Sequence, residues 1–392
     1  MTRPHTFEIL AQDPTTQARR GRLHTAHGTI ETPVFMPVGT RATVKTVSSE
    51  ELLQLDYEVI LANTYHLWSR PGIDVVESFG GLHSFTRWPR AILTDSGGYQ
   101  VFSLADLRHI HDEGVVFQSP YDGARIFLTP ESVMDAQRRL GADIAMVLDV
   151  CPPGDCDRST ACLAVQRTVE WAARCARQPR AEGAWVFGIV QGAGYPDLRA
   201  ECARRLVELD FDGYAIGGVS VGEPDDRIRQ AVRDTVPHVP ADRPRYVMGV
   251  GGIEQMLDMI EAGVDMFDCV MPTRLARHGT AFTFSGRYPL KAAVYARDPR
   301  PIVEGCACPA CRQGYSRAYI RHLLQVGEGL GIRLLTLHNL FVYAELLRQA
   351  RRALETGRWS AWAQALRSVW HEPTVEHLRL QDTDDLPEGE SP

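Results

Sequence analysis

The chain has 392 residues, 44% hydrophobic and 23% charged, the composition of an ordinary folded protein and long enough for one large domain with an appendage. It contains no unbroken apolar run of the roughly 20 residues a membrane helix needs, and the opening "MTRPHTFEIL" lacks the continuous apolar stretch of a signal peptide. Nine cysteines, an odd number with three of them inside residues 306–311, argue against a disulfide framework and predict a reducing cytoplasm. Net charge is −7, which argues against a polyanion partner until its distribution is read. Nine basic and two acidic residues lie between Arg274 and Arg321, leaving 33 basic against 47 acidic elsewhere. That segment interleaves Phe282, Phe284, Tyr288, Tyr295, Tyr315 and Tyr319, so it reads equally as a polyanion footprint or as an Arg-rich solvated surface.

In chain order, eight short strand-like runs recur: "TPVFMPV" (32–38), "EVILA" (58–62), "AILT" (91–94), "AMVL" (145–148), "WVFGIV" (185–190), "GYAI" (213–216), "RYVMG" (245–249) and "DMFDC" (265–269). Helical patterns fall between them, among them 48–56, 129–140 with a Thr-Pro start, and 252–263. Near-continuous apolar strands alternating with helices predict a parallel sheet covered on both faces. Eight repeats predict an α/β fold of the (β/α)8 TIM-barrel type, over residues 1–279, with a hairpin at 115–128 inserted in its third unit. The periodicity then fails. Residues 280–357 are expected to form a zinc-binding subdomain near the C-terminus, with an amphipathic helix at 335–357. Residues 358–392 are expected to be a helical segment and an acidic, disordered tail.

The strand ends carry the functional signal. They finish at Asn63, Asp95, Asp149, Gln191, Gly217-Gly218, Met248-Gly249 and Asp268. One polar strand end is a turn, but three aspartates, a Gln, an Asn and paired glycines at one barrel mouth predict a site. "LTDSGGYQ" (93–100) sharpens it: a carboxylate at the strand end is followed by two glycines that let a ligand approach. Asp149, Gln191 and Gly218 supply donors and acceptors for a purine-like base, with Tyr99 and Met248 to sandwich a flat ring. Asp95 and Asp268 are the pair of carboxylates that substitution at an anomeric carbon requires, one attacking and one moving protons. The residues alone do not say which attacks. No G-x-G-x-x-G after a first strand and no P-loop are present, so a nucleotide cofactor is not expected. Cys306-x-Cys308-x-x-Cys311 with His338 is a tetrahedral set of zinc ligands, and four protein ligands make the metal structural. Cys151 is a candidate to line the mouth.

In order along nearly the whole chain, "LTDSGGYQVFSL", "VQG" with "YPDLR", "GYAIGG", "RYVMGVG", "MFDCVMPTR" and the C-x-C-x2-C…H set resemble the queuine tRNA-ribosyltransferase family, the tRNA-guanine transglycosylases, in its bacterial form. The resemblance implies a homodimeric, cytoplasmic barrel enzyme with one structural Zn2+ per subunit and no organic cofactor. It would exchange the wobble guanine of tRNAs with a GUN anticodon (Asp, Asn, His, Tyr) for preQ1, 7-aminomethyl-7-deazaguanine. It also implies roles. Asp268 would be the nucleophile and Asp95 the general acid/base. Asp149, Gln191, Gly218 and the Val219 carbonyl would read the base, and Tyr99 and Met248 would stack on it. Arg274 and Arg277 would hold the neighbouring anticodon nucleotide. Extruding the guanine is base flipping. The chain departs from the family pattern at Val219-Ser220, where Leu-Ala is usual, at Ala193, at Gly252 in place of a Lys, and at Lys291-Ala292-Ala293. Val221 keeps the bulky residue of preQ1 enzymes. Rival readings are a barrel enzyme acting on a small glycoside or amide, a non-catalytic RNA-binding partner, and a paralogue that exchanges another base.

Overall fold

The computed structural model describes residues 6–98, 108–118, 123 and 125–370. Eight parallel strands form one sheet: β1 (Val34–Pro37), β2 (Val59–Asn63), β3 (Ala91–Asp95), β4 (Ile144–Met146), β5 (Trp185–Val190), β6 (Gly213–Ile216), β7 (Arg245–Val247) and β8 (Met266–Cys269). Their order is β1-β8-β7-β6-β5-β4-β3-β2. The two outer strands meet through a parallel bridge, Val38 to Leu61, and the Gly39 N–H donates to the Leu61 carbonyl at 2.6 Å. The sheet is therefore a barrel, and the expected fold class holds. β2, β3 and β5 are buried along their whole length, which is why they read as unbroken apolar runs.

Local chemistry starts and stops the helices. Ser48 and Glu51 form a reciprocal capping box ahead of helix Ser49–Gln54. Thr129 caps helix Pro130–Leu140, which opens on a Pro and ends at Gly141 with φ +72°. The inserted element is a three-stranded antiparallel sheet, Arg108–Ile110, Val115–Gln118 and Arg125–Leu128, rather than a two-stranded hairpin. The extra strand is short and polar, so it left little alternation to read.

One element was not foreseen. Phe7–Gln12, Arg19–Thr25 and Gly28–Thr32 form an antiparallel sheet at the barrel's N-terminal face. Arg19 makes a buried two-bond pair with Asp265, just ahead of β8, at 2.9 and 2.6 Å, and donates to the Arg243 carbonyl ahead of β7. Trp185 at the start of β5 donates to the His24 carbonyl at 2.9 Å, and Glu58 ahead of β2 accepts from the Glu31 N–H at 2.6 Å. This sheet is the floor of the barrel. Its charged sequence suits a sheet that lies over a polar ring of strand starts.

The chain divides into two compact units, residues 1–270 with 349–359, and residues 271–348 with 360–392. The second has its own apolar core, built on Ala276, Ala281, Leu290, Ile302, Ile320 and Leu335 around Cys308 and Cys311. Helix Gly329–Glu355, longer at its start than the 335–357 expected, has the length and composition of a membrane span. Since 67% of its apolar window is buried inside the protein, it is a core helix.

Candidate active site

The strand register sets the site. Asn63 ends β2 directly opposite Asp95 at the end of β3, and its Nδ2 donates to Asp95 Oδ2 at 3.0 Å. Asp95 is 8% exposed, and its Oδ1 is buried with no hydrogen-bond partner among the described residues. Burial pushes its carboxyl up to about 7; the charges of Asp149 and Asp268 add to the rise, and the Gly97 and Ser96 N–H groups oppose it.

Asp149 follows β4, and Gln191 follows β5 at once. Gln191 Nε2 donates to Asp149 Oδ2 at 2.7 Å, leaving Gln191 Oε1 buried and without a partner among the described residues. Burial raises Asp149 to about 6 against the pull of the Gln191 bond. The glycines around this pair are sterically required. A Cβ at Gly98 would lie 1.7 Å from Asp149 Oδ1, and one at Gly218, where φ is +61°, would lie 2.4 Å from Gln191 Oε1. Gly98, three residues after Asp95, thus makes room for the carboxylate that follows the next strand.

On the other side of the mouth, Asp268 Oδ1 accepts from the Tyr246 hydroxyl at 2.6 Å and from the Gly249 N–H at 2.8 Å. Burial raises Asp268, and those two donors hold it back. Three carboxylates from β3, β4 and β8 therefore share one face, close enough for two of them to move the third. Such an arrangement does chemistry; as a device for stability it is a liability.

The comparisons with known proteins agree along the whole chain. A family model described as queuine tRNA-ribosyltransferase matches residues 13–372. Proteins named queuine tRNA-ribosyltransferase are similar at 52% identity in Symbiobacterium thermophilum (94% of this chain, 92% of the relative), at 54% in Desulforudis audaxviator (90% and 95%) and at 51% in Bacillus subtilis (91% and 93%). The chain belongs to the queuine tRNA-ribosyltransferase family.

Of the other residues singled out, Val219 is buried beside Gly218 on the wall of a cavity of about 820 Å³ that also touches Tyr195, Val221 and Glu223. Met248 is half-buried against the barrel core, its N–H on the Ile216 carbonyl at 3.2 Å. Cys151 is buried, and its thiol is pushed up by burial and then by Asp149. Tyr99 lies outside the described residues.

Arg274 and Arg277 belong to the second unit, on helix Met271–His278. Arg274 is exposed, while Arg277 buries its Nη1 without a hydrogen-bond partner among the described residues. Burial and the neighbouring Arg274 charge lower its affinity for its proton. The basic segment is only partly a free face. Phe282 and Tyr295 are core residues, and Arg300 and Arg317 both pair with Asp298. Lys291, Arg297 and Arg312 are exposed, as is Tyr319, which stacks on Tyr315 at 5.9 Å.

The second unit also gathers Cys306, Cys308, Cys311 and His338. His338 Nδ1 lies 3.8, 3.3 and 3.6 Å from the three sulfurs. A tetrahedron with ordinary zinc–sulfur and zinc–nitrogen bonds has S···N edges of about 3.6 Å, so the four residues fit such an ion. The other ring nitrogen bonds the Phe282 carbonyl at 2.7 Å, which leaves Nδ1 to the metal. Backbone N–H groups of Cys308, Cys311 and Val303 point at the sulfurs at 3.3–3.4 Å, as thiolate ligands require.

Sequence reasoning missed two supporting residues and the partner of a third. Asn63 was visible as a polar strand end, but its partner was not. Tyr246 lies inside β7, two residues before Met248, which stands just past the end of the strand. Arg199, the last residue of "YPDLR", is 1% exposed and donates to the carbonyls of Ala193, Gly217 and Gly218 at 2.8, 3.2 and 3.2 Å. It ties the loops after β5 and β6 together, and nothing in its local sequence announces a buried arginine.

Proposed function

We propose that the chain replaces the wobble guanine of GUN-anticodon tRNAs by preQ1 through a covalent ribosyl-aspartate. The observation that carries this is the trio of carboxylates at one glycine-walled mouth, with Asp149 and Asp268 both raising the buried Asp95.

Asp268 is the nucleophile. Tyr246 and Gly249 fix its Oδ1, which orients the carboxylate toward C1′ of the flipped nucleotide. As the C1′–N9 bond breaks and the Asp268–C1′ bond forms, Asp95 gives its proton to the departing guanine. The incoming deazaguanine returns a proton to Asp95, attacks C1′ and frees Asp268. A carboxyl held near 7 is matched to giving and taking a proton at neutral pH. Asp149 with Gln191, the Gly218 N–H and the Val219 carbonyl read the base edge. Arg274 and Arg277 hold phosphate: an arginine whose buried Nη1 has no partner among the described residues is suited to an anionic oxygen. Zinc in the Cys306, Cys308, Cys311, His338 set is structural, since four protein ligands leave it no open position. The working enzyme is a cytoplasmic homodimer.

The deciding experiment is incorporation of radiolabelled guanine into unmodified GUN-anticodon tRNA, with preQ1 and queuine as competitors. The cavity beyond Val219 has room for a larger 7-substituent, so queuine belongs in the assay. Label at the wobble position with preQ1 the stronger competitor supports the reading. No incorporation by folded, metal-loaded protein overturns it.

A further inference from the structure

Arg199 stands in the first turn of helix Pro196–Val207 with its side chain turned inward, 1% exposed. Its Nε donates to the Ala193 carbonyl, and its Nη1 and Nη2 donate to the carbonyls of Gly217 and Gly218. The backbone is shaped to admit it: a Cβ at Gly192, where φ is +148°, would lie 2.7 Å from Arg199 Cγ. Among the described residues no carboxylate pairs with the guanidinium. Burial brings it down to about 10, so it stays charged at neutral pH. A buried cation met by carbonyls alone is a costly way to tie two loops, because the charge loses its hydration and gains no counter-ion.

We propose that Arg199 is a positioning residue for base recognition: it turns the Gly218 N–H toward the mouth and strengthens it as the donor to the 6-oxo group of the bound purine. The inference rests on the reading of the mouth as a guanine site. The Gly217–Gly218 peptide is trans, so its C=O and N–H point in opposite directions. With the carbonyl held by Arg199 at 3.2 Å, the N–H faces the other way, toward Cys151. Burial and then Asp149 push the Cys151 thiol up, and the Gly218 N–H opposes them, which places this donor on the Asp149 side of the loop.

The charge acts through the same peptide. A cation bonded to the Gly217 carbonyl draws electron density from the peptide nitrogen and makes the Gly218 N–H a better donor. The bond to the Gly218 carbonyl fixes the next peptide too, so the residue cannot turn its N–H away. Guanine's Watson–Crick edge carries N–H donors at N1 and N2, which suit the Asp149 carboxylate, and one carbonyl acceptor at position 6, which requires a donor of this kind.

The test compares guanine with 6-thioguanine, which keeps the ring donors but offers a sulfur that accepts hydrogen bonds weakly. In radiolabelled guanine incorporation at saturating tRNA, kcat, KM for guanine and the inhibition constant of 6-thioguanine are measured for the full chain. Arg199→Met should raise KM for guanine about tenfold, the scale of one hydrogen bond, and change kcat per folded molecule and the 6-thioguanine constant by less than about twofold. Arg199→Lys keeps the charge without the planar fork and decides the question if the Met variant does not fold; it should raise KM for guanine about threefold. A preference for guanine that the folded variants keep overturns the proposal. So does a wild type that does not distinguish the two bases, or a loss of stability or kcat with KM unmoved, which is a structural role alone. A wild type that incorporates no guanine overturns the underlying reading of the site instead.

Discussion

Asp95 and Asp143 are both hidden from solvent, 8% and 2% exposed, yet their surroundings treat the charge in opposite ways. Asp95, at the barrel mouth, faces two other carboxylates and a neutral amide, and its carboxyl is raised to about 7. Asp143, at the floor, is desolvated too, but bonds from His83, His27 and the Ile92 N–H outweigh that and hold it below the usual range. Asp265 on the same floor is wholly buried and clasped by Arg19. Burial sets the penalty at both ends, and partners decide whether it is relieved. Where it is relieved the aspartate is part of the fold; where it is left standing, the carboxyl keeps its proton to near neutral pH.

The sharpest way to break this comparison is at the mouth. Asp268→Ala should lower guanine exchange by at least ~10⁴-fold, the scale of removing a nucleophile, while a gel shift still shows tRNA binding. Joint loss of binding and activity would make the site assignment wrong.

Asp95→Asn should reduce exchange by ~10²–10⁴-fold and yet stabilise the protein. The raised Asp95 carboxyl contributes stability fully present below the unfolded value of 3.8 and lost as pH rises through about 7. An amide carries no such charge, so the variant should exceed the wild type by ~1–3 kcal/mol near pH 8. The gap should close as pH falls toward about 4, and chemical denaturation across that range checks the sign.

The floor should respond the other way. Arg19→Ala strands the buried Asp265 charge and should cost ~3–5 kcal/mol of stability, leaving the pH profile of exchange unmoved in whatever remains folded.

Tyr246→Phe removes one of two donors to Asp268. A hydrogen bond to a charged group contributes ~1.5–3 kcal/mol, so kcat should fall ~10–100-fold with little change in KM. The smallest effect belongs to Arg277→Ala, which should raise KM for tRNA and reduce the slope of log affinity against log salt by ~1. An unchanged slope would remove Arg277 from the phosphate contacts.

The eight strands, their order of appearance and the helices between them were legible because each is a local pattern: apolar runs, a Ser or Thr cap, a Pro start, a Gly stop. The strand-end aspartates and the cysteine spacing were legible too, since position along a strand or a short motif is enough to name them. The floor sheet at residues 7–32 was not. Its strands are charged and alternate weakly, and their meaning lies in Asp143, Trp185 and Asp265, more than 100 residues away.

The sequence by itself determined the fold class, the metal set and the identity of the three carboxylates at the mouth. Only the tertiary structure decided what those carboxylates are worth. The Asn63 to Asp95 bond, the fit of Gly98 against Asp149 and the buried Arg199 across two loops each join residues from different strands. A carboxylate's proton affinity depends on distances of a few ångströms through space, and those exist only once the barrel has closed.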